Sequence, residues 1–246
     1  MFKLSAGSLL KNIPLIFSAE ETLLLDGIRH PAEMACYALH RLAGNLWKIT
    51  AEGRLAEGDV ESVFLDAWAV VDSIDRLRGL LGMVERRNPE WISGCQEFLQ
   101  STQTFRAMRN VTDHLGARIP YVVAKKGSAL GVLKWLAVRN FSPDVPKNDW
   151  IISTCLILPG TLYQPNVQFL LSRDGEQIDN PVGKISLFAG EYECDLNDGV
   201  KKIVAVVESL ELKLRAQLVG MDPDNLRCAK SDIYGKADLN AEVRDA

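Results

Sequence analysis

The chain predicts an α+β protein: a helical bundle with an antiparallel β-meander inserted or appended, and a long C-terminal helix. Three observations lead there. Apolar residues recur at helical spacing through the first half, short β-branched and aromatic runs separated by turn dipeptides follow, and a heptad-like apolar stripe comes last. The expected division is 1–118 for the bundle, 119–196 for the sheet, 197–220 for a helix packing on bundle or sheet, and 221–246 for a polar tail.

Taking the elements in order, Ser18 followed three residues later by Glu21 forms a capping-box signature, and the helical pattern runs from there to about residue 48. His30 before Pro31 predicts a break or kink within it. A second helix starts near Asp59 and sets Val60, Val63, Phe64, Ala67, Trp68, Val71, Ile74, Leu77 and Leu81 on one face, with Asp66, Asp72, Asp75 and Arg76 expected on an exposed acidic side. A third is expected over 90–115, with Trp91, Phe98, Phe105, Met108 and Val111 inward and Gly116 ending it. Strands are expected at 121–124, 130–139, 150–158, 166–172 and 184–192, where turn signals separate aliphatic and aromatic runs. The last helix begins at a cap on Asn197 or Asp198, and its stripe of Val200, Ile203, Val207, Leu210 and Leu214 suits core packing or a second copy of the chain.

A net charge of -4, with both signs mixed along the sequence, gives no global attraction to polyanions, so any nucleic-acid contact would need a local patch. Five scattered cysteines without a Cys-x-x-Cys pair suggest free thiols in a reducing, cytoplasmic compartment, with neither a disulfide framework nor a zinc site. No secretory signal and no membrane span is expected. The phosphate-loop, Rossmann, nucleophile-elbow and His-Glu-x-x-His patterns are missing, and three histidines are too dispersed for a metal centre, so no cofactor or metal is expected.

The stretch FRAMRNVTDHLG, residues 105–116, carries the candidate chemistry in Arg109, Asn110 and His114. On a helix Asn110 and His114 lie four apart on one face, and the long Arg109 side chain on the neighbouring strip could bend toward the same groove. Histidine exchanges protons near neutral pH, arginine offers a planar, permanently charged fork to phosphate, and asparagine can orient either. The same residues suit a plain helix end: an Arg109–Asp113 ion pair, a histidine favoured by the helix dipole and a solvated asparagine.

With four residues between arginine and histidine and a polar residue after the arginine, this stretch resembles the motif of the HEPN superfamily, helical-bundle proteins that include endoribonucleases. VVDSIDRL, with Asp72, Asp75 and Arg76, is similar in style to such bundles. The resemblance covers the first half of the chain. It implies a homodimer whose two motifs face one cleft, RNA as the ligand and, in catalytic members, metal-independent RNA cleavage, with His114 as proton shuttle, Arg109 as phosphate clamp and Asn110 as orienting residue. Two other readings are open: a non-catalytic module in which the helices and the 200–214 stripe form a homodimer while the sheet offers an edge or face to another protein, and a sensor holding a small molecule between bundle and sheet.

Overall fold

A computed structural model describes residues 3–92, 94–124, 128–142, 144–146, 149–160, 180–221, 232 and 234. Its class is α+β, as the sequence predicts. The bundle is built on α1 (Ala19–Glu52) and α2 (Asp59–Arg87), which pack along their length. At the start of α1 the capping box forms: the Ser18 hydroxyl accepts from Glu21 N at 3.3 Å, and the Glu21 carboxylate accepts from Ser18 N at 2.9 Å. That backbone bond from Ser18 holds the Glu21 carboxyl below its usual range. Of the break or kink expected at Pro31, the break does not occur. α1 runs through it as one helix, with Ile28, Ala32 and Ala35 buried on either side of the proline, so packing offsets the missing N–H.

The expected third helix is instead three pieces: a 3₁₀ turn (Pro89–Trp91), α3 (Cys95–Ser101) and α4 (Gln103–Asp113). A side chain from α2 explains the second interruption. Arg78, 7% exposed, donates to the Leu99 carbonyl, to Thr102 Oγ1 at 2.6 Å and to Gln103 Oε1 at 2.6 Å, so the carbonyl that would continue the helix ladder is engaged by a guanidinium. Gly116 does not end the run either. α5 (Leu115–Ala124) follows directly and takes up residues 121–124, which were expected to be a strand. Tyr121 of α5 packs on Gly190, where an added Cβ would stand 2.9 Å from the ring, so tertiary contact overrides the β-branched local preference.

Among the described residues four antiparallel strands form one sheet in the order β2-β1-β3-β4: β1 (Val132–Val138), β2 (Ile152–Ile157), β3 (Val182–Ala189) and β4 (Tyr192–Asp195). The single strand expected over 184–192 is thus a hairpin turning at Gly190. The strand expected at 166–172 lies outside the described residues. Register pairs Trp135 with Cys155 and Lys134 with both Leu156 and Ser186, and a bulge on β3 beside Trp135 carries Lys184 at φ 42. Next to that bulge, Ile185 N donates to Asn197 Oδ1 at 2.7 Å, so Asn197 binds the sheet, while Asp195 caps the last helix by accepting from Asp198 N. Gly131 precedes β1 at φ 87, and a Cβ there would meet the Phe188 carbonyl oxygen at 2.3 Å.

The last helix, α6 (Leu196–Leu218), buries Val200, Ile203, Val207, Leu210 and Leu214 within the chain's own core, so this stripe does not face a second copy. α6 contacts α1, α2 and β3, and one apolar core runs through helices and sheet together. Two tryptophans add polar links: Trp135 Nε1 donates to Thr50 Oγ1 at 3.0 Å and Trp68 Nε1 to the Leu130 carbonyl at 3.1 Å. Trp91 and Phe105 are core residues as expected, and Trp68 is half-buried. Among the described residues no helix is long and apolar enough to cross a membrane. Cys36, Cys95, Cys155 and Cys194 are free thiols, and burial pushes Cys36 and Cys95 up to about 11 and Cys194 up to about 12. Those three have little thiolate character at neutral pH.

Candidate functional site

The candidate residues sit on the last turn of α4 and at its C-terminal cap, which is His114 itself at φ -111, ψ 28. Phe105, Met108 and Val111 are buried and fix the rotation of α4, so Arg109 falls beside α2 while Asn110 and His114 face outward. At about 100° per residue, Arg109 and His114 leave the helix axis roughly 140° apart.

Arg109 does not bend toward Asn110 and His114. Its guanidinium turns to α2, where Nη1 donates to Asp75 Oδ2 at 2.6 Å and Nε lies 3.0 Å from Asp72 Oδ1, with Asp113 Oδ2 3.4 Å from Nε. The two Nε contacts are ion pairs without hydrogen-bond alignment, and Nη2 donates no hydrogen bond among the described residues. The Asp75 bond, with Asp113 and Asp72 behind it, holds the guanidinium above its already high usual value, so its charge is fixed. The side chain is 32% exposed.

Arg78 and Arg106 complete the polar seam between α2 and α4. Burial lowers the Arg78 guanidinium, Asp75 raises it and the nearby Arg106 lowers it further. The three carboxylates of Asp72, Asp75 and Asp113 are thus gathered on Arg109, while Arg78 directs its hydrogen bonds to neutral oxygens. Asn110 and His114 are both exposed, and their side chains make no hydrogen bond or ion pair among the described residues. Immediately beyond His114, a cleft of about 430 Å³ is lined by Leu115, Ile119, Val122, Leu130 and Pro159.

Sequence reasoning places all three candidates on one helix end but misses what organises them. Asp66, expected on an exposed acidic face, is 2% exposed and takes a bidentate bond from Arg41, at 2.6 Å from Nη2 and 3.2 Å from Nε. Arg78 escapes notice although it lies seven residues after Val71 and four after Ile74, inside the apolar stripe, where a charged residue signals a buried polar role. Compared with protein-family models, curated proteins and solved structures, the chain matches none, so its candidate chemistry rests on its own residues.

Proposed function

We propose that the chain is a cytoplasmic, HEPN-like RNA-binding protein that acts as a homodimer and cleaves RNA without a metal. The observation that supports this reading most is the exposed His114 at the cap of α4, five residues after an arginine whose charge and direction are fixed by Asp72 and Asp75. In this reading the imidazole moves the proton in an attack of a ribose 2′-hydroxyl on the adjacent phosphorus. The O–P bond to the 5′-oxygen breaks, that oxygen takes up a proton, and a 2′,3′-cyclic phosphate remains. Because Arg109 turns to α2, away from the His114 of its own copy, its Nη2 edge braces the phosphate held against His114 of the second copy, and Asn110 orients the chain of the substrate. A second copy supplies the opposite wall, since one copy offers only an open helix end.

The experiment is cleavage of single-stranded RNA in excess EDTA by wild type and His114→Ala. Cleavage that persists in EDTA and disappears in the variant, with unchanged circular dichroism, supports the reading. A wild type as inert as the variant on a broad RNA panel sinks it.

One observation favours a second reading, a non-catalytic interaction module. Arg109 touches three carboxylates, two of them on α2, which is also what a latch between α2 and α4 requires. Under that reading the Arg109 contacts contribute to stability alone.

A further inference from the structure

A charge buried in a bundle helix needs a partner, because taking it out of water is costly unless an opposite charge or acceptor compensates. Arg29 of α1 is 2% exposed. Its own helix supplies two acids at the right spacing, Asp26 and Glu33, but their oxygens stand 3.7 Å from Nη1 and 3.6 Å from Nε, outside hydrogen-bonding distance. Both acids have other partners: Glu33 Oε1 lies 2.9 Å from Lys11 Nζ, and Asp26 Oδ2 lies 3.4 Å from His30 Nε2. Nε and Nη1 of Arg29 are therefore buried without an acceptor. Only Nη2 is satisfied, by both carboxylate oxygens of Asp232, at 2.5 and 2.7 Å, from a position 203 residues later in the chain.

We propose that Arg29, flanked by Lys11 and His30, is a carboxylate-binding site, and that Asp232 of the C-terminal segment is its tethered occupant. The two partners differ in kind. The cation is built into the core, whereas the anion is 69% exposed and sits on a backbone at φ 57, where aspartate is tolerated better than most residues. Such an occupant is replaceable. The Asp232 carboxyl is held below the usual range by its bond to Arg29 first, with His30 and Lys11 adding to the field, so the same side chains would favour any carboxylate at that position. Because Asp232 is carried by the same chain, it fills the site without a second molecule having to be brought in, so a free monocarboxylate leaves the wild type unchanged at concentrations that rescue a chain lacking the Asp232 charge. A protein or peptide partner presenting an acidic side chain with further contacts would displace the Asp232 carboxylate. This site lies on α1, independent of the α4 helix end and of the RNA reading.

The test uses full-length chains in thermal melts at pH 7, with sodium acetate as probe against sodium chloride of equal ionic strength. Asp232→Asn keeps the shape and removes the charge. It should melt roughly 5 °C or more below wild type and recover with acetate in a saturable way, while wild type responds to acetate and chloride alike at the same concentrations. Arg29→Met combined with Asp232→Asn should lose the acetate response. A neutral variant that melts like wild type and ignores acetate overturns the proposal, as does an acetate response of equal size in all three chains. Should Asp232→Asn fold poorly, Asp232→Glu, which retains a carboxylate, must fold and share the wild type's indifference to acetate; if it does not, the site is not one for carboxylates.

Discussion

Arg29 and Arg109 each sit among three carboxylates, yet the two clusters are built in opposite ways. Around Arg109 the arginine is 32% exposed, and two of its partners, Asp72 and Asp75, come from the adjacent α2 at 3.0 and 2.6 Å. Around Arg29 the arginine is 2% exposed, its helix neighbours stand back, and the one bonded partner comes from the far end of the chain. The contrast shows that counting acids near a base says little. What decides the energetics is which partner is buried, since removing the exposed member of a pair strands a buried charge, while removing the buried member leaves groups that water can solvate. The Arg29 cluster should thus be sensitive at its exposed acid, and the Arg109 cluster tolerant at every member.

The largest effect that could break this contrast is catalytic. If Arg109 braces a phosphate, Arg109→Ala should lower the rate of RNA cleavage by about 10²–10³-fold, the scale of losing one stabilising donor to a developing charge. Its cost in stability should stay near 1 kcal/mol, because the ion pairs it loses are partly solvated. Arg109→Lys keeps the charge without the planar fork and should recover the melting temperature better than the rate. Parallel cleavage assays and melts separate the two roles: a rate unchanged by Arg109→Ala assigns the residue to the latch.

A smaller effect distinguishes the clusters by pH. The Asp232 carboxyl is held below its ordinary value of 3.8 by the Arg29 bond, so its folded-state pKa lies below its unfolded one. The stability it contributes is therefore complete above about pH 3.8 and is lost as pH falls through the lower, folded value. Asp232→Asn has nothing to lose there. The melting temperatures of wild type and variant should differ at neutral pH and converge as pH drops below that point. Curves that run parallel down to acid unfolding would mean that Arg29 does not sense the charge of residue 232.

The legible parts of this fold are those whose cause is local. Ser18 and Glu21 specify a cap within four residues, and the stripes of α2 and α6 announce their buried faces, because helical periodicity needs no knowledge of the partner. The parts that sequence reading misses have causes far along the chain. Arg78 interrupts the expected third helix from 21 residues upstream of Leu99, Asp66 is buried by an arginine 25 residues away, and 121–124 turn helical beside Gly190. The candidate site follows the same rule. Its residue types and helix-end position are read directly from FRAMRNVTDHLG, whereas the direction taken by Arg109 depends on Asp72 and Asp75, which periodicity places on α2 without saying what faces them.

Asp113 offers the finest test, because it belongs to both accounts of the α4 end. Its carboxylate is 50% exposed, reaches Arg109 Nε only at 3.4 Å, and follows the arginine by four residues, the weaker order for a helical pair. Asp113→Asn should therefore change stability by less than about 0.5 kcal/mol in chemical denaturation. The same substitution takes one negative charge from a solvent-open position next to His114. If RNA approaches there, the variant should bind it a few-fold more tightly at low ionic strength, with the gain fading as salt screens the exposed charges. Unchanged affinity at every salt concentration would place the nucleic acid elsewhere, and a loss of more than about 1 kcal/mol of stability would show that even the outermost member of the Arg109 cluster is structural.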